Sequence, residues 1–83
     1  MDWHCTPSFG EQRLVGMKCT DIKSSSILHR VGVQDGEIVT SVDGKPTLSP
    51  RDMMRAVKDL KAANQAEIKV LRGGKEQKLN YAK

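Results

Sequence analysis

The sequence predicts a small α+β domain with a partly antiparallel sheet, one short helix and one long helix. Three observations lead there. Residues 24–44 (SSSILHRVGVQDGEIVTSVDG) pass from a helix start through a glycine turn into a β-branched strand and a second glycine turn. Residues 49–63 carry a capped, amphipathic helical pattern. Residues 66–81 alternate apolar and polar side chains on both sides of Gly73-Gly74, which reads as a hairpin. The 83 residues allow one domain and no second one.

Residues 1–13 (MDWHCTPSFGEQR) show no periodicity, and Pro7 and Gly10 interrupt any regular element. They are expected to form a flexible leader, with the domain proper at 14–83. Leu14 to Ile22 reads as a strand in which Met17 and Cys19 alternate with Lys18 and Thr20. Ser24, Ser25 and Ser26 offer hydroxyls to the free N–H groups of a first helical turn. Ile27, Leu28 and Val31 fall on one side of that short helix, and Gly32 ends it in a left-handed conformation. Val33 is an apolar plug, and Asp35-Gly36 makes a turn that needs positive φ. Glu37 to Val42 is the β-branched strand, closed by Asp43-Gly44. Lys45-Pro46-Thr47 is a short extended link, because Pro46 disfavours helix before it.

Ser49 caps the long helix, Pro50 takes its tolerated first position, and Asp52 completes a capping box. Met53, Val57 and Leu60 are spaced as a core stripe, with Met54, Lys58 and Lys61 on a second stripe about 100° away. Asn64 ends the helix. In the hairpin, Ile68 and Val70 face Leu79 and Tyr81, while Lys69, Glu76 and Lys78 take the other side.

With one Trp, one Tyr and one Phe, the core must be aliphatic. No apolar run approaches the roughly 18 residues of a membrane span, and Met1-Asp2-Trp3-His4 lacks the basic and apolar regions of a secretory signal. The chain is therefore expected to be cytosolic or, given its module size, a piece of a longer protein. Residues 1–44 hold four basic and six acidic side chains, whereas residues 45–83 hold ten and four. Such a basic half attracts nucleic acid, anionic lipid or acidic protein, or simply forms a solvated surface. Cys5 and Cys19 could pair in an oxidising compartment; Cys19, in an apolar strand, reads more readily as a small buried hydrophobe.

Catalysis has little support. His4 and Cys5 are neighbours in the expected leader, without a fixed nucleophile–base geometry, and His29 reads as a surface histidine. His4, Cys5, Cys19 and His29 lack the spacing of a zinc site, so neither metal nor cofactor is expected. Nucleic-acid binding fares no better. Arg51, Arg55, Lys58 and Lys61 have no interleaved aromatics for base stacking, and Asp52 and Asp59 dilute their charge.

What remains is recognition of an extended peptide. If the Met17–Ile22 strand is a sheet edge beside the long helix, its free N–H and C=O groups can pair with an added strand. Pro50, Met54, Val57 and the stem of Lys58 would line the helix side, and Lys58 and Lys61 would favour acidic ligand residues. A second arrangement is equally compatible: Met54 and Met17 touching, with the groove closed as core.

Gly32-Val33, Gly36-Glu37 and Asp43-Gly44, in this order and spacing, resemble the PDZ domain in its bacterial form over about residues 14–82. Glu37 and Asp43 stand where that pattern has Asp and Asn. The resemblance implies a PDZ-like, partly open β-sandwich or barrel with a peptide groove. It places a carboxylate-binding loop at Leu14-Val15-Gly16-Met17 and a binding strand continuing through Lys18, Cys19 and Thr20. The run VGMKCTDIKSSSILHRVGVQDGEIV, with LSPRDMM before the helix and a KLNY ending, is most similar to the PDZ domain of the type II secretion C component. That implies a periplasmic, non-catalytic module of an anchored inner-membrane protein, contacting secretin or secreted cargo and making no membrane contact itself. The regulatory PDZ of an HtrA-type periplasmic serine protease is the alternative.

Overall fold

The computed structural model describes residues 2–83. Its elements are β1 (His4–Gly10), β2 (Arg13–Thr20), α1 (Ile27–Val31), β3 (Ile38–Val42), β4 (Lys45–Pro46), α2 (Pro50–Ala62), β5 (Gln65–Arg72) and β6 (Lys75–Ala82). The strands form one antiparallel sheet in the order β1-β2-β3-β5-β6, with β4 also on β3.

The flexible leader expected at 1–13 is instead largely a strand: residues 4–10 pair with β2 from His4↔Thr20 to Gly10↔Arg13. Met1, the first residue of that leader, lies outside the described residues. Pro7 does not prevent the strand, because β1 is at the sheet edge and its missing N–H faces away from the ladder. The hairpin turn is Glu11-Gln12, with φ of 47° and 69°. Two-residue hairpins favour this left-handed geometry, but usually with Asn or Gly, and each L-residue there costs about 1–2 kcal/mol.

A disulfide joins Cys5 to Cys19, directly opposite each other on β1 and β2. Cys19 is thus a half-cystine rather than the free buried thiol that its strand suggested. The bridge spans 14 positions, and a loop of that size is stabilised by about 3 kcal/mol through its constraint on the unfolded chain. This matches the conformational cost of the Glu11-Gln12 turn. Reducing the bridge with a dithiol is therefore expected to lower stability by about 3 kcal/mol and to make the β1 amides the first to exchange. Hydrogen exchange of Thr6 and Ser8 checks this, and protection equal to that of β3 would show that β1 holds without the bridge.

The core is aliphatic, as composition requires. Met17, Leu28, Val39, Met53, Ile68 and Val70 are fully buried, with Leu60 nearly so. They fill the space between one face of the sheet and the two helices. Ser26 caps α1 by accepting from the His29 N–H, and Gly32 ends that helix at φ 99°. Ser49 accepts from the Asp52 N–H, while the Asp52 carboxylate accepts from the Leu48 N–H.

Glu37 has a structural reason for its length. Its buried carboxylate accepts from the Gln34 N–H at 2.8 Å and from the Arg72 guanidinium, which also reaches the Gly32 carbonyl. The α1–β3 loop is thereby tied to β5, and the Glu37 hydrogen bond raises the Arg72 pKa above its ordinary value.

Candidate functional site: a groove between β1 and α2

The strand half of the expected groove is not at an edge. Leu14, Val15, Gly16, Met17, Lys18, Cys19 and Thr20 all belong to β2, which β1 pairs along one side and β3 pairs at Met17 and Lys18 on the other. On the β3 side, the Cys19 N–H donates to the Glu37 carbonyl, and the Cys19 carbonyl accepts from the Gly36 N–H. A guest strand cannot take the outer side of β2 while β1 is in place.

Gly16 is not part of an anion nest. A Cβ at that position would sit 2.4 Å from the Val39 carbonyl oxygen and 2.9 Å from the Ile38 side chain. The glycine is there because β2 and β3 approach closely, and Leu14 to Met17 run as a strand paired with β1 rather than as an open loop. Gly16→Ala is expected to destabilise the domain by about 1–3 kcal/mol, since backbone rather than a flexible side-chain tip must shift. An unchanged denaturant midpoint would contradict the close approach.

The free edge belongs to β1. Cys5 and Cys19 have Cα atoms 4.0 Å apart, the narrow separation of a non-hydrogen-bonded antiparallel pair. The Cys5 N–H and C=O therefore point outward, and by alternation so do the N–H and C=O of Trp3 and the carbonyl of Pro7. Asp2 fits this phase, because its carbonyl turns inward to accept from the Lys23 N–H at 2.9 Å. Pro7 offers a carbonyl but no donor, so pairing on this edge stops there.

The side chains of Trp3 and Cys5 pack against the core, and α2 lies alongside. A groove is lined by Asp2, Trp3, Met54, Val57, Lys58 and Lys61. Its helix wall follows from the α2 pattern. Val57 is buried at the base, Met54 is 65% exposed above it, and Lys58 and Lys61 stand at the rim. Met54 does not close onto the fully buried Met17 as core. Pro50 occupies the exposed first position of α2 and is not among the groove-lining residues. The structure thus brings Met54, Val57, Lys58 and Lys61 together with two residues, Asp2 and Trp3, that the sequence reading left in the leader. The available signal was the odd-numbered spacing of Trp3, Cys5 and Pro7, together with a possible Cys5–Cys19 pair.

Among the described residues there is no cluster of three or more metal-ligating side chains. Among the described residues no helix is long and apolar enough to cross a membrane.

A family model described as the PDZ domain matches residues 8–82. The chain belongs to the PDZ family. A probable periplasmic serine endoprotease, DegP-like, of Rhizobium meliloti (strain 1021) is 30% identical over 73 residues, which are 88% of this chain and 14% of that protein. This PDZ domain therefore spans about one-seventh of the length of such relatives. Among solved structures, the PDZ domain of the pullulanase C protein of the type II secretion system from Klebsiella pneumoniae, in complex with fatty acid, superposes with a TM-score of 0.62. The match has 17% identity and covers 98% of this chain and 84% of that one. The HtrA3 PDZ domain bound to a phage-derived ligand (FGRWV) gives 0.65 at 20% identity, covering 96% and 86%. At these identities the two structures establish the fold alone. The order strand, short helix, strand, long helix, hairpin holds, with β1 added at the front.

Proposed function

We propose that this PDZ domain is a non-catalytic periplasmic binding module of a type II secretion C component, taking an extended segment of secretin or secreted cargo as an added strand on β1. One observation carries the reading. Trp3 lines a groove walled by Met54 and Val57, and its outward N–H and C=O continue along the free β1 edge as those of Cys5 and the carbonyl of Pro7. These groups allow at most about five backbone bonds, each worth about 0.5–1.5 kcal/mol net. Affinity in the micromolar range, about −8 kcal/mol, then requires a side-chain anchor against Met54. Lys58 and Lys61 favour acidic residues beside that anchor. Ser26-Ile27-Leu28, where HtrA-type members more often carry Ser-Pro-Ala, supports the secretion reading.

The second reading, a regulatory PDZ domain of an HtrA-type protease, has its support in the DegP-like relative at 30% identity. The two differ upstream: a Gly-x-Ser-x-Gly protease segment in the parent chain would favour the protease, a single hydrophobic anchor the secretion component.

The direct test is a chemical-shift titration with secretin segments and a C-terminal peptide library. Perturbation is expected at the Trp3 and Cys5 amides and at the Met54 and Val57 methyls. A fatty acid serves as competitor, since the pullulanase C structure holds one. Saturable binding that leaves those four residues unmoved would reject the groove.

A further inference from the structure

The sheet has a second open edge, at its opposite end. Among the described residues nothing pairs with the outer side of β6. The phase of that edge follows from the Gly73-Gly74 turn, with φ of 58° and 81°, which makes Arg72↔Lys75 the closing pair. In a two-residue hairpin the closing pair is hydrogen-bonded, so the backbone groups of Lys75, Gln77, Leu79 and Tyr81 point inward to β5. Those of Glu76, Lys78 and Asn80 point outward, and all three residues are exposed.

We propose that the outer edge of β6 is a self-complementary docking surface for a second copy of this chain, paired antiparallel about a two-fold axis at Gln77. In that register Glu76 of one copy lies opposite Lys78 of the other, and the two-fold repeats the pair. Both positions have outward backbone groups, so both form hydrogen-bonded pairs. The neighbouring register of the same phase places Lys78 against its own copy, and like charges directly opposite are unfavourable.

The charges on this face point the same way. Within one copy Lys78 stands opposite Lys69 across β5–β6, with the Glu67 carboxylate, 3.7 Å away, as its one acidic partner among the described residues. A second copy's Glu76 would supply a second acid for the two lysines, giving a cross-sheet row of Lys69, Lys78 and the other copy's Glu76. The contact is short and exposed, so it is a weak one that salt weakens further. It leaves both β1 grooves free at the far ends of a continuous sheet.

The test uses sedimentation equilibrium with the whole chain at about 1 mM, where weak pairing is visible. The wild type is expected to approach twice its 9.2 kDa mass. Glu76→Lys alone and Lys78→Glu alone should each stay monomeric. An equimolar mixture of the two should associate, because each opposing pair then regains opposite charges. The double variant Glu76→Lys/Lys78→Glu should associate by itself. Folding of each variant is checked by its amide spectrum; both side chains are exposed, so the spectra should remain dispersed. A monomeric wild type, or single variants that associate like it, would overturn the proposal. So would a foreign peptide that shifts the Glu76, Lys78 and Asn80 amides with no self-association. Loss of peptide binding at Trp3 and Cys5 is a separate readout at the other edge, and bears only on the groove.

Discussion

Val39→Asp is expected to unfold the domain. Val39 is fully buried in the strand that pairs with β2, β4 and β5. It lies opposite Met17 and Val70, and its carbonyl accepts from the Thr47 hydroxyl at 2.7 Å. A carboxylate there would have no partner. Its burial, even if it took up a proton, costs several kcal/mol. A domain of this length has only about 4–12 kcal/mol of stability in total, at roughly 0.05–0.15 kcal/mol per residue. The lost apolar burial, about 1.5 kcal/mol or more for a valine, adds to the deficit. The expected result is collapse of amide dispersion and loss of a cooperative thermal transition. A dispersed spectrum with a midpoint near wild type would mean that β3 is not the centre of the core.

Met54→Glu is the complementary case, with a large effect on binding and almost none on folding. Met54 is 65% exposed on a helix whose buried face is formed by Met53, Ala56, Val57 and Leu60. Exchanging a mostly solvated thioether for a carboxylate removes little buried area, and the new group lies near Lys58 and Lys61 on the same stripe. Surface substitutions of this kind usually stay within about 0.5 kcal/mol. The proposed guest, however, would lose its apolar wall and meet a negative charge where acidic residues are favoured. Binding of a segment identified by titration is expected to weaken at least about tenfold, or 1.4 kcal/mol, with the thermal midpoint moved by no more than a few degrees. Unchanged affinity would remove Met54 from the site; a steep fall in the midpoint would return it to the core.

Most of the fold is legible in the chain order because its signals are local. The Ser49 cap with Pro50 and Asp52, the Ser26 cap with Gly32, and the positive-φ pairs Asp43-Gly44 and Gly73-Gly74 each require only near neighbours, and all form as expected. The Glu11-Gln12 turn gives no such sign. Two residues that seldom adopt φ of 47° and 69° are held there by the rest of the hairpin. Once that turn is missed, Trp3, Cys5 and Pro7 fall into a leader, and the groove is assigned to β2 instead of β1.

The helix wall was readable for the same reason that the strand wall was not. A 3.6-residue period tells which side of α2 is buried, and Met54, Lys58 and Lys61 follow from it without knowledge of any other element. Whether a strand is an edge depends on what lies beside it, and alternation looks alike on β1 and β2. Sequence by itself determined the two helices, the order of elements from β2 onward, the aliphatic core and the basic rim, all consequences of side-chain periodicity and turn chemistry. Tertiary structure alone decided that β1 covers β2, that Cys5 meets Cys19, and that Gly16 marks a close approach of strands. Those outcomes rest on contacts between residues far apart in the chain, where no local preference competes strongly enough to reveal them.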